Sequence, residues 1–172
     1  SQIIKQAQKN NCKIISYGFG EPTVFYEYMD DIIQEGQGIK NIVITNGFIE
    51  KDAMRQIAAK TKAVMFDIRS MTEEFYEKIC NGKLEPILSA IKTAHNSGTL
   101  IEIRMTLIPE LHNSFYDIRK IISFILTSLD SNVPLHFIAF NDNAKELAEH
   151  ARKIAIDAGM NYVYADNIDS DD

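Results

Sequence analysis

The chain has no tryptophan, and its only cysteines are Cys12 and Cys80, far apart in sequence. Two thiols without C-x-x-C spacing supply neither a disulfide framework nor a zinc site. Proline occurs four times and glycine eight, too rarely for a low-complexity linker. No apolar run approaches the roughly 18 residues of a membrane span. The opening SQIIKQAQKN reads as an amphipathic helix, not a signal peptide. Positive charge is also scarce, with 18 Lys and Arg against 24 Asp and Glu and a formal net charge of −6. Phosphate-backbone binding needs clustered cations, so neither nucleic acid nor a membrane is expected as a partner. A reducing cytoplasm is the expected location.

What is present is ordinary globular composition, 45% hydrophobic and 24% charged over 172 residues. Six β-rich runs stand out: Lys13–Gly18, Asn41–Asn46, Ala63–Ile68, Leu100–Ile108, Leu135–Phe140 and Tyr162–Asp166. Helical periodicity fills the intervals at Val24–Glu35, Lys51–Ala59, Glu73–Ile79 continuing through Leu84–Asn96, Ser114–Leu129 and Asn143–Ala158. Such alternation predicts an α/β fold with parallel strands and helical crossovers, in one domain over 1–172. Pro22 near a helix start, Thr72 as an N-cap, and Gly98 and Gly159 past helix ends agree with it.

An open doubly wound sheet and a whole or partial barrel both fit that order. In Leu100–Ile108, Ile101, Ile103, Met105 and Leu107 face one way, and Glu102, Arg104 and Thr106 the other. A buried parallel strand is normally apolar on both faces, so a polar face favours the interior of a barrel lined for a ligand. An edge strand facing water is the alternative.

Function in parallel α/β folds gathers where strands end and helices begin. Those positions hold Gly20-Glu21-Pro22, Thr45-Asn46-Gly47, Asp67-Ile68-Arg69, Arg104 and Asn141-Asp142. Each also has a plain structural use, as a turn, a cap or a surface pair. His136, inside a strand, reads as a core histidine, and the tail aspartates from Asp166 onward read as solvated. Together the rim offers carboxylates, guanidiniums, hydroxyls and amides, which suits a zwitterionic small molecule bearing hydroxyls. No phosphate-cradling glycine loop, strand-end lysine, nucleophile elbow or zinc spacing occurs.

At these residues the sequence resembles radical S-adenosylmethionine enzymes, most of all the AmmeMemoRadiSam-system group, which is related to pyruvate formate-lyase-activating enzymes. The resemblance runs in order through Asn11–Tyr17, Glu21–Tyr28, Val43–Phe48, Asp67–Arg69, Glu74–Lys78, Gly82–Leu88, Ile108-Pro109, His136–Phe140 and Tyr162–Tyr164. It implies a partial (β/α) TIM-like barrel and S-adenosylmethionine as cofactor. By resemblance, Gly20 and Glu21 meet the methionine ammonium, and Thr45 and Asn46 lie near the methionine or ribose. Asp67, Arg69 and Arg104 manage the charged ends and the ribose. Asn141 occupies a position where relatives often have a histidine near the nucleoside.

Two departures are visible. The Cys-x-x-x-Cys-x-x-Cys that holds a [4Fe–4S] cluster is absent, and Arg69 replaces the lysine of Asp-Leu-Lys. The expectation is a fragment of a radical S-adenosylmethionine enzyme that lacks the first barrel strand and the cluster loop. The cluster would then be found only in the full-length protein, and this chain would have no catalytic or metal-binding residue of its own. Its substrate, protein or small molecule, is not readable. Self-association through the open barrel edge is expected. The alternative is a cluster-free barrel that binds a nucleoside-type ligand or a partner protein without catalysis.

Overall fold

The computed structural model describes residues 1–109 and 114–167, so His112 and the tail beyond Asn167 lie outside the described residues. The chain runs α1 (Gln2–Lys9), β1 (Ile14–Tyr17), α2 (Tyr26–Glu35), β2 (Lys40–Thr45), α3 (Lys51–Lys60), β3 (Ala63–Ile68), α4 (Glu73–Phe75), α5 (Leu84–Asn96), β4 (Leu100–Leu107), α6 (Ser114–Ser128), β5 (Leu135–Ala139), α7 (Lys145–Asp157) and β6 (Val163–Asp166). The strands form a parallel sheet in sequence order, with helical crossovers, which is the fold class of a partial (β/α) barrel. No helix among the described residues is long and apolar enough to cross a membrane.

The chain gathers into two compact units. The first comprises residues 1–66 and 86–101. Its helices bury one stripe each: Ile4 and Ala7 on α1, Met29 and Ile32 on α2, Met54, Ile57 and Ala58 on α3, and Ile87, Ala90, Ile91 and Ala94 on α5. These i, i+3, i+4 spacings make one helical face apolar. Val43, Val64 and Phe66 are fully buried, whereas the alternate residues Ile42, Ile44 and Met65 are half-buried. A short 3-10 turn, Pro22–Phe25, leads into α2 where the periodicity predicts helix from Val24. Pro22 at its first position needs no N–H partner.

The second unit comprises residues 67–85 and 102–172. Here α6 buries Ile118, Ile121, Ile122 and Ile125, while α7 buries only Ala148, Ala151 and Ala155. Ile103, Met105, Leu107, Leu135 and Phe137 are completely buried. Each such side chain contributes roughly 1.5–3 kcal/mol by leaving water. The expected helix from Glu73 is interrupted. Thr72 caps it, but α4 is a single turn that widens into a π-helical turn over Tyr76–Cys80. Asn81, left-handed at φ 51°, ends that turn.

Candidate functional site

In the first unit, β1 and β2 deliver their C-terminal ends to one carboxylate. Glu21 Oε1 accepts from the Thr23 N–H at 3.1 Å and the Thr45 hydroxyl at 2.6 Å, and Oε2 accepts from the Asn46 N–H at 2.8 Å. The structure therefore brings Glu21, Thr45 and Asn46 together. Thr45 is buried, and its hydroxyl oxygen also accepts from the Gly47 N–H at 3.0 Å. Asn46 Oδ1 accepts from the Phe48 N–H at 2.8 Å, an Asx turn that ties up the side-chain oxygen. Gly47 is at φ +76°, where a side chain would be strained. Gly20 at φ +79° has nothing within 4 Å of where a Cβ would point, so the backbone ahead of Glu21 is open to a ligand. A carboxylate has about four lone-pair sites, and three are used here, which leaves one for a further donor such as an ammonium.

In the second unit, Arg104 grips Asp67 with a fork, Nε to Oδ1 at 2.5 Å and Nη2 to Oδ2 at 2.7 Å. The hydrogen bonds to Asp67 hold the guanidinium above its already high range; burial opposes this, and the charges of Asp67 and Asp166 add to it. Arg69 is exposed, and its Nη1 donates to the Thr106 hydroxyl at 3.2 Å. Asp67, Arg69 and Arg104 thus share one neighbourhood with Thr106. Asn141 opens the 3-10 turn Asp142–Ala144 through its carbonyl, 3.0 Å from the Ala144 N–H, and its side chain makes no capping bond.

Sequence reasoning missed three features. His136 is not a satisfied core histidine: it pairs in register with Arg104 and with Tyr164, on the polar row of β4–β6. Asp166 is not merely solvated, because it ends β6 and its Oδ2 lies 3.0 Å from His136 Nδ1. The third feature is a latch behind the β3 end. Asp117, buried on α6, accepts from the Ser70 hydroxyl at 2.9 Å and the Met71 N–H at 2.5 Å. Tyr76 adds a second clamp by accepting from the Arg69 N–H at 3.1 Å, and burial raises its phenol. The period-2 pattern of LHFIAF, with Leu135, Phe137 and Ala139 on one face, sets His136 on the other and was the available signal; a latch between distant residues leaves none.

The residues present do not fit an iron–sulfur cluster. Cys12 and Cys80 are single exposed thiols, and among the described residues no group of three His, Cys, Asp or Glu is placed to hold a metal. Desolvation also raises the Cys80 thiol, against the pull of Arg69, which disfavours the thiolate a cluster needs.

Comparison with known proteins bears on this arrangement. Residues 1–125 match the model of the Radical SAM superfamily. An uncharacterized protein of Methanocaldococcus jannaschii, MJ0808, is 36% identical, with 97% of this chain and 53% of the relative covered. The chain thus spans about half the length of that relative. Among solved structures, a domain of pyruvate-formate lyase-activating enzyme from Bacteroides vulgatus is 20% identical at a TM-score of 0.77, covering 88% of this chain and 97% of that one. Streptococcus suis SuiB bound to S-adenosylmethionine is 16% identical at a TM-score of 0.72, covering 95% and 40% respectively. At these identities the two structures speak to the fold alone.

Proposed function

Because the chain belongs to the radical SAM superfamily, we propose that it is the S-adenosylmethionine-binding part of a radical S-adenosylmethionine enzyme, of the kind related to pyruvate formate-lyase-activating enzymes. The observation that carries the reading is the Glu21 carboxylate, fixed by three donors at the ends of β1 and β2 with one acceptor site to spare. The methionine ammonium is the natural donor for that site, and the open backbone at Gly20 lets it approach. Thr45 and Asn46 orient the carboxylate. Asp67, Arg69 and Arg104 are assigned to the carboxylate and ribose ends of the cofactor, and Asn141 to the nucleoside, on the strength of family membership. Formation of a 5′-deoxyadenosyl radical needs a [4Fe–4S] cluster held by residues other than those described. A cytoplasmic setting suits such chemistry.

Titration calorimetry with S-adenosylmethionine tests the reading. The chain should bind the cofactor, and Glu21→Gln should weaken binding by about tenfold, as loss of a charge-assisted bond does. Arg104→Lys, which replaces a fork with a point charge, should weaken it by less. Absence of saturable heat with the folded wild-type chain would overturn the proposal. Binding of adenosine with no preference for the methionine-bearing cofactor would favour a nucleoside-binding barrel without catalysis.

A further inference from the structure

On β4, β5 and β6 a second cluster lies beside the Asp67–Arg104 pair and plays no part in the cofactor assignment above. His136 is its centre. Its Nδ1 is 3.0 Å from Asp166 Oδ2, and its ring stacks on Tyr164 with centroids 4.8 Å apart and planes 22° apart. On the other side, Nε2 lies 3.3 Å from Glu102 Oε2. Yet Nε2 is buried and makes no hydrogen bond among the described residues. The carboxylates are open to solvent, with side-chain exposures of 41% for Glu102 and 43% for Asp166, against 18% for the ring.

The ring's chemistry makes this arrangement incomplete. One ring nitrogen, Nδ1, is bonded to Asp166, while the other, Nε2, has no hydrogen-bond partner among the described residues. Beside Nε2 stands the Glu102 carboxylate, an acceptor. A buried polar nitrogen without a partner is costly to leave so. A group that carries several N–H donors answers both carboxylates, Glu102 and Asp166, at once. Charge points the same way. Asp67 is neutralised by its fork to Arg104, whose charge also reaches Asp166, while among the described residues neither Glu102 nor Asp166 forms an ion pair with a Lys or Arg. Arg69 is directed to Thr106. Tyr164 supplies an aromatic face against which a cation is stabilised. Among the described residues no group is placed to hold a metal ion, and an organic cation matches the carboxylates and ring present.

We propose that Glu102, His136, Tyr164 and Asp166 recognise a cationic, N–H-rich head group, an ammonium or guanidinium, on the substrate. That such a ligand is the substrate rests on the enzyme reading above; that the site binds it does not. Nuclear magnetic resonance on the isotopically labelled full chain tests the site directly. Agmatine and n-butylammonium are titrated at fixed pH and ionic strength, with succinate as the anionic control. The cations should shift the His136 and Tyr164 ring resonances saturably, and succinate should not.

Glu102→Gln and Asp166→Asn should each weaken binding about tenfold. So should His136→Phe, which keeps an aromatic ring but removes Nε2. Glu149→Gln, on the exposed face of α7, should leave binding unchanged. Absence of a saturable shift, an equal response to succinate, or equal binding in folded Glu102→Gln and Asp166→Asn would overturn the proposal. In the same samples S-adenosylmethionine should shift the Thr45 and Asn46 amides, so the cofactor reading and the cation site can fail separately.

Discussion

Tyr17 shows how one side chain ties pH to stability. It is 7% exposed, and its hydroxyl donates to Oδ1 of buried Asn41 at 3.1 Å. Burial pushes the phenol up to about 12 from the ordinary 10. Between these values the unfolded chain has lost its proton and the folded chain has kept it. Stability therefore stands in full below pH 10 and falls as pH rises toward 12. Urea midpoints at pH 8, 10 and 11 should drop more steeply in the wild type than in Tyr17→Phe. The variant keeps part of the slope, because burial also raises Tyr76. At pH 8, Tyr17→Phe should cost about 1 kcal/mol, since Asn41 loses its donor. Parallel curves for the two proteins would show that Tyr17 is not the group that titrates. At this scale the sequence was a partial guide. Rim residues were legible because strand ends are where polar side chains collect. His136 was misread because strand periodicity tells which face a residue takes, and not whether its nitrogens find partners.

At the scale of elements, the turns decide which polar groups meet. The end of β2 works because Gly47 adopts φ +76°, which brings the Asn46 N–H to Glu21 and the Phe48 N–H to Asn46. A Cβ there would meet Phe66 Cδ1 at 3.1 Å and Ile87 Cγ2 at 3.2 Å. Gly47→Ala therefore faces both a strained backbone and a crowded core, and should cost about 2–3 kcal/mol. Gly98→Ala, at φ +78° with nothing within 4 Å, carries only the backbone cost of about 1–2 kcal/mol. Equal losses in the two variants, read from urea unfolding, would mean that packing against Phe66 is not tight. Thr-Asn-Gly could be read from the sequence as a turn, since Asn and Gly tolerate positive φ. The break after α4 could not. The apolar spacing of Glu73–Ile79 continues a helical pattern, and only the left-handed Asn81 and the widened turn before it show where the helix stops.

For the molecule as a whole, the strand order was legible and the split of polar and apolar character between the units was not. Alternation in Leu100–Leu107 gave the polar row of β4, but the half-buried positions of β2 and β3 in the first unit, Ile42, Ile44 and Met65, are apolar. β1 is the end strand of the sheet order and pairs with β2 alone among the described residues. Its other edge presents backbone N–H and C=O groups, and Ile14 is 49% exposed. Unpaired edges of this kind template association unless they are short or charged. β1 is four residues long and follows Lys13, so the edge is blunted but not closed. Hydrogen exchange should find the Ile14–Tyr17 amides less protected than those of Ile103–Leu107 in dilute protein. Their protection should rise with protein concentration as light scattering detects larger species. Slow exchange throughout β1 at every concentration, in a chain that scatters as a monomer, would show that this edge needs no partner and would remove the argument for self-association.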